Sequence, residues 1–256
     1  MHITQLTAVV LLTASLFSAS LPGHLPELKK IEPITEAEYL YKTTDPSDLV
    51  KDSTVYAVMQ TNVGGFKTGE TVEVLRGSGQ KRYHIRALDG SSSRWVDASA
   101  VKIPDDPPTN EMALTSEQLE RYVNDRTFES KTQYFLWVDI DRQKVYVFTG
   151  ENGDWTHTDT FDCATGINAA PTVRGTFTVS DRGTWFYSAQ YEQGGKYWVR
   201  FKESYLFHSL PFDEKQSVIV DETLGERASH GCVRLAVEHS KWIYDNVKPG
   251  TCVWVY

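Results

Sequence analysis

Apolar residues in the first half of the chain come in short alternations cut by glycine and polar turns. Val55-Tyr56-Ala57-Val58 leads to Val63-Gly64-Gly65-Phe66, and Thr71-Val72-Glu73-Val74-Leu75 leads to Arg76-Gly77-Ser78-Gly79. Arg82-Tyr83-His84-Ile85-Arg86-Ala87-Leu88 runs into Asp89-Gly90, and Arg94-Trp95-Val96 and Ala100-Val101-Lys102-Ile103 follow. Strands this short, punctuated by glycine, predict a small antiparallel barrel or sandwich over residues 43–103. Pro104-Asp105-Asp106-Pro107-Pro108 resists regular pairing, so 104–114 reads as a linker. Thr115-Ser116-Glu117-Gln118 is a helix-capping pattern, with Leu119, Tyr122 and Val123 on one face.

From Gln133 the pattern is β again. Tyr134-Phe135-Leu136-Trp137-Val138-Asp139-Ile140 and Val145-Tyr146-Val147-Phe148 flank a polar turn and predict a hairpin. Further strands run to the end of the chain. A helix over 236–246 carries Val237, Ser240, Lys241 and Tyr244 at helical spacing and stops before Pro249-Gly250. Residues 115–256 thus form a second, mainly β unit with one or two helices. At the other end, residues 6–21 hold no charge, fall short of the roughly 20 residues of a comfortable membrane span, and end in Ser18-Ala19-Ser20. This predicts a secretory signal or an outward-facing anchor over 1–21, a tether over 22–42, and an extracytoplasmic location.

Composition narrows the classes. With 40% hydrophobic and 23% charged residues in 256, the chain is neither disordered, collagenous nor a coiled coil. A formal charge of −8 without a basic block argues against a nucleic-acid partner. Three cysteines are too few for a disulfide scaffold.

The candidate chemistry lies in Ala228-Ser229-His230-Gly231-Cys232-Val233-Arg234-Leu235. A cysteine beside glycine and histidine suits acyl transfer: a neighbouring imidazolium lowers a thiol from about 8.5, and glycine lets backbone N–H groups approach a developing oxyanion. His208, in Leu206-Phe207-His208-Ser209, is the candidate base, with Ser209 or a neighbouring carbonyl orienting its ring. His208, His230 and Cys232 are also zinc-ligand types, but no fourth ligand accompanies them, and neither metal nor cofactor is expected. Cys163 and Cys252 read as buried apolar residues. The aromatic stretch 184–201, around Gly194-Gly195 as a turn, reads as hairpin packing or as a flap bringing Tyr187 and Trp198 onto substrate.

Ser229-His230-Gly231-Cys232-Val233-Arg234, with His208 upstream, resembles the motif of the L,D-transpeptidase (YkuD-like) catalytic domain. Cys163-Ala164-Thr165-Gly166-Ile167 and Ala170-Pro171-Thr172-Val173-Arg174-Gly175-Thr176-Phe177 resemble a second block of that family, so the likeness covers 133–256. Residues 43–103, through Lys67-Thr68-Gly69-Glu70-Thr71-Val72-Glu73-Val74-Leu75 and Arg94-Trp95-Val96-Asp97, resemble bacterial SH3-like modules. The resemblance implies an SH3-like barrel followed by a YkuD-like β-sandwich. It implies that Cys232 attacks the bond after the third residue of a peptidoglycan tetrapeptide stem, releasing D-Ala and passing the acyl group to a neighbouring stem as a 3→3 cross-link. His208 would be the general base, held by Ser209. Backbone N–H groups at Gly231 and Cys232 would hold the oxyanion, and Ser229, His230 and Arg234 would shape the cleft and meet substrate. Arg234 has a structural ion pair as its alternative role. Water as acceptor would give an L,D-carboxypeptidase, and a third alternative is a non-catalytic wall-binding protein. The expected partners are stem peptides and the cell wall, with the chain a monomer.

Overall fold

In the computed structural model, which describes residues 44–79 and 81–256, the two β-rich segments form two separate sheets. The expected signal and tether, residues 1–42, lie outside the described residues. Among the described residues no helix is long and apolar enough to cross a membrane.

The first sheet is antiparallel, with β1 (Tyr56–Met59), β2 (Thr71–Ser78), β3 (Arg82–Ala87), β4 (Ser93–Asp97) and β5 (Val101–Lys102) in the order β4-β3-β2-β1-β5. The alternation read from the sequence is the burial pattern found. Ala57, Met59, Val72, Val74, Tyr83, Ile85 and Val96 face one core, while the residues between them face outward. A short helix α1 (Pro46–Leu49) precedes this sheet, and a 3-10 turn, Ala98–Ala100, precedes β5.

The second sheet has nine strands, in the order β10-β11-β12-β13-β8-β7-β6-β14-β9. They are β6 (Tyr134–Asp139), β7 (Lys144–Glu151), β8 (Asp154–Ala164), β9 (Gly175–Thr178), β10 (Arg182–Ser188), β11 (Gln193–Lys202), β12 (Tyr205–Ser209), β13 (Val233–Leu235) and β14 (Cys252–Val255). The long β8 pairs with β7 along most of its length and with β13 at its end, joining the two halves of the sandwich. Leu136, Val147, Val199, Phe207, Val233 and Val253 meet in the core between those halves. The opposite face of β6, β7 and β14 carries Phe135, Trp137, Tyr146, Phe148 and Trp254, covered by Leu119, Tyr122 and Val123 of α2 (Ser116–Asn124). Burial on both faces explains why these strands read as unbroken apolar runs. The expected cap of α2 is present: Thr115 and Gln118 bond reciprocally to each other's backbone. The late helix is α3 (Val237–Asn246).

The proline-rich segment does not hang free. Asn168 donates its amide to the carbonyls of Pro104 and Asp105, and Thr109 donates to that of Gly225. Arg142, fully buried with Asp139 in an ion pair at 3.1 Å, also donates to the carbonyls of Met112 and Leu49. Segments on both sides of the first sheet are thereby fastened to the second unit.

Candidate active site

Strand alternation builds the site. In β12 and β13, Phe207, Val233 and Leu235 enter the sandwich core, so Leu206, His208 and Arg234 take the other face. His208 and Arg234 are register partners across this parallel pair. Cys232 immediately precedes β13 and lies in the same cleft of about 490 Å³ as His208.

Gly231 sets the turn that presents the thiol. Its φ of +118° suits glycine, and a Cβ there would lie 2.9 Å from the Tyr205 ring. The turn is braced from the upstream block. Ala228 and Ser229 donate their N–H groups to the Thr165 carbonyl, Ile167 donates to the Ser229 carbonyl, and the Thr172 hydroxyl donates to the Gly231 carbonyl at 2.8 Å. Thr165 is in turn gripped by Gln143, whose side chain accepts the Thr165 N–H and donates to its hydroxyl, both at 2.8 Å. Gln143 sits in the expected polar turn between β6 and β7, yet it is fully buried at a φ of +53°.

His208 is buried, and its Nδ1 lies 2.6 Å from the Ser209 carbonyl oxygen. A carbonyl only accepts, so Nδ1 carries the proton and Nε2 is left with a lone pair. Burial pushes the imidazole down to about 4, against the raising effect of the Ser209 bond and with a small further lowering by Arg234. Ser209 therefore holds the ring through its backbone; its hydroxyl donates to the Leu210 carbonyl and accepts the Lys196 N–H. Phe186 meets the imidazole edge-on at 5.2 Å between centroids. Burial likewise pushes the Cys232 thiol up to about 11, opposed by the Leu206 N–H and by Arg234 and Arg200. At rest the thiol donates to the Ser204 carbonyl at 3.6 Å. Cys163 and Cys252 are free and buried, as expected.

The remaining expected residues divide. Ser229 is buried; its hydroxyl donates to the Cys232 carbonyl and accepts the Gly231 N–H at 3.0 Å. In this resting arrangement the Gly231 N–H, an expected oxyanion donor, is engaged by the Ser229 hydroxyl. His230 is exposed in the cleft and stacked on Tyr191 at 4.1 Å; partial desolvation of its ring there, helped by the Arg234 charge, lowers its pKa. Arg234, itself buried, lines the cleft and pairs with the half-buried carboxylate of Asp221. Tyr187 and Trp198 do not line the cleft. Phe186 and Ser188 do, so period-two alternation turns Tyr187 to the opposite face, and Trp198 packs over Gly183 and donates to the Trp185 carbonyl.

Gly194-Gly195 is not a turn. Both glycines lie inside β11, opposite Tyr187 and Phe186, and the β10–β11 connection comes earlier. A Cβ on Gly195 would lie 2.6 Å from His208 Nδ1, so this glycine makes room for the imidazole. Among the described residues no three His, Cys, Asp or Glu side chains are grouped to hold a metal ion.

Residues 133–255 match the family model of the YkuD L,D-transpeptidase catalytic domain. A Bacillus subtilis (strain 168) protein named "Putative L,D-transpeptidase YciB" is 38% identical over 131 residues, 47% of this chain and 66% of that protein. Among solved structures, a fused Zn-dependent amidase/peptidase/peptidoglycan-binding domain-containing protein from Clostridium acetobutylicum ATCC 824 is 36% identical. It matches over 55% of this chain and 59% of its own, with a TM-score of 0.48. An L,D-transpeptidase (Yku) from Stackebrandtia nassauensis is 23% identical over 52% of this chain and 59% of its own, with a TM-score of 0.40. The chain spans just under two thirds of the length of the Bacillus relative and less of the solved structures.

Proposed function

Residues 133–255 form an L,D-transpeptidase catalytic domain of the YkuD family, and from that premise we propose that the chain is a peptidoglycan cross-linking acyltransferase with Cys232 as its nucleophile. The observation that carries this reading is the fixed tautomer of His208, whose basic Nε2 belongs to the same cleft as the Cys232 thiol.

In this reading the carbonyl of the third stem residue lies over Cys232. The sulfur attacks that carbon as the thiol proton passes to Nε2 of His208. The oxyanion is assigned to the backbone N–H of Cys232, since that of Gly231 serves Ser229. Collapse breaks the amide bond, and the D-Ala nitrogen takes the proton from His208 as it leaves. The thioester is then attacked by a side-chain amine of a neighbouring stem, which returns its proton through His208 to the sulfur. A 3→3 cross-link forms and the thiol is restored. No oxidant, reductant or resident cofactor enters the balance. With this reading go a location outside the cytoplasm, where such stems are, a monomeric enzyme, and an SH3-like assignment for the first sheet.

Intact-mass spectrometry of the full chain incubated with a tetrapeptide stem tests the reading. The expected result is an adduct equal to the tripeptide less water, present on the wild type and absent from Cys232→Ala. An adduct on Cys163, or one that survives Cys232→Ala, would overturn it.

A further inference from the structure

The cleft has a wall that the catalytic domain does not supply. Arg76, Gly77, Ser78, Gly79 and Trp95, from the first sheet and the turn after β2, line it together with His208 and Cys232. The approach is close. A Cβ on Gly77 would lie 2.4 Å from the Ala169 carbonyl oxygen, and Ala169 itself packs against the core of the first sheet. Arg76 donates to the Glu203 carboxylate at 2.6 Å. The next residue, Ser204, accepts the Cys232 thiol through its carbonyl. The guanidinium thus stands beside the β11–β12 turn that touches the Cys232 thiol.

Charge distinguishes this wall. The chain as a whole carries −8, yet no Asp or Glu is among the described residues lining the cleft. Two arginines are. Arg234 is buried and neutralised by Asp221. Arg76 is 39% exposed, and its partner Glu203 lies outside the lining at 52% exposure. Exposed pairs of this kind are worth little and exchange readily. The accessible cation of the cleft is therefore Arg76, in a pocket emptied of competing carboxylates. A planar guanidinium already holding a carboxylate is suited to exchange it for another.

We propose that Arg76, carried by the first sheet and not by the catalytic domain, holds a carboxylate of the peptide substrate in the catalytic cleft. This rests on the stem-peptide reading above. The carboxylate comes either from the terminal D-Ala or from the second stem residue. On binding, it takes the place of Glu203, which is left to solvent.

The test is calorimetric binding to the full chain carrying Cys232→Ala, so that affinity is read apart from turnover. Three tetrapeptides are compared: the free acid, one amidated at the terminal D-Ala, and one amidated at the second residue. Arg76→Ala should weaken binding of the free acid about tenfold. For one of the two amides it should change little, and that amide identifies the carboxylate held. Arg76→Lys should retain part of the affinity. Glu203→Gln, which removes the competitor and leaves Arg76, should bind the free acid at least as tightly as before. Equal weakening by Arg76→Ala and Glu203→Gln would reduce Arg76 to a link between the two sheets and overturn the proposal. So would equal loss across all three peptides, or no binding of any. If Arg76-dependent binding is found while the wild type forms no acyl adduct, only the acyl-transfer reading falls.

Discussion

Raising the pH over Cys232 reports how its thiol is kept at rest. Burial holds the thiol up at about 11 and the His208 imidazole down at about 4, so both are uncharged across the neutral range. A resting site of this kind is a neutral pair and not a thiolate beside an imidazolium, and in the proposed reaction the proton is expected to move only as the substrate carbonyl is attacked. A small neutral disulfide such as dithiodipyridine reads this state, because the thiolate alone attacks it. At about pH 7.5, a thiol near 11 is ionised to about 3 parts in 10,000, against about one part in ten for a free cysteine near 8.5. Its higher basicity returns about a tenfold gain in intrinsic reactivity, leaving exchange roughly 20- to 30-fold slower than at free cysteine. The rate should climb nearly tenfold per pH unit from neutrality towards about pH 10. Cys232→Ala supplies the blank, since Cys163 and Cys252 are buried. His208→Ala should leave the slope in place, because a neutral imidazole contributes no charge to stabilise the thiolate. A rate already maximal and flat between about pH 5 and 8 would instead show a preformed ion pair.

The acid limb of kcat/KM should lie near 4, where His208 takes up a proton and Nε2 is lost as a base, so the rate falls as the pH drops through that value; a limb near 6.5 would contradict the buried, neutral imidazole. Gly195→Ala should lower kcat about a hundredfold in a folded protein, because its Cβ would displace the ring from a distance of 2.6 Å; wild-type turnover with an unchanged circular dichroism spectrum would count against it. Arg142→Ala should cost about 3–5 kcal/mol in denaturant unfolding by leaving the Asp139 carboxylate buried and unpaired, and a loss under about 1 kcal/mol would mean that water reaches the pair.

What the sequence disclosed followed from residues adjacent along the chain. The turn around Gly231-Cys232 is a single local segment, and both the cap at Thr115 and the apolar runs of β6 and β7 are equally local. His208 is legible from its place in the motif, and the register of β12 on β13 sets it beside Arg234. The parity of β10 was not legible. Trp185, Phe186 and Tyr187 are consecutive aromatics without a polar alternation, so no pattern in the sequence says that Phe186 and not Tyr187 lines the cleft. Gly194-Gly195 has the composition of a turn, but the imidazole that needs the space arrives from β12. Gln143 sits among turn residues and is buried only because Thr165 closes over it. The wall contributed by Arg76 and Trp95 depends on the packing of one sheet against another, to which no periodicity within either sheet refers.

Everything proposed for this chain depends on acyl transfer through Cys232. Mass spectrometry of purified tetrapeptide muropeptides after incubation with the full chain addresses it most directly. The expected products are a dimer joined between third residues and one D-Ala released for each cross-link, with neither product from Cys232→Ala or His208→Ala. Tripeptide monomers without dimers would make water the acceptor and the enzyme a carboxypeptidase, and unchanged tetrapeptides under conditions where the protein is folded would contradict the claim outright.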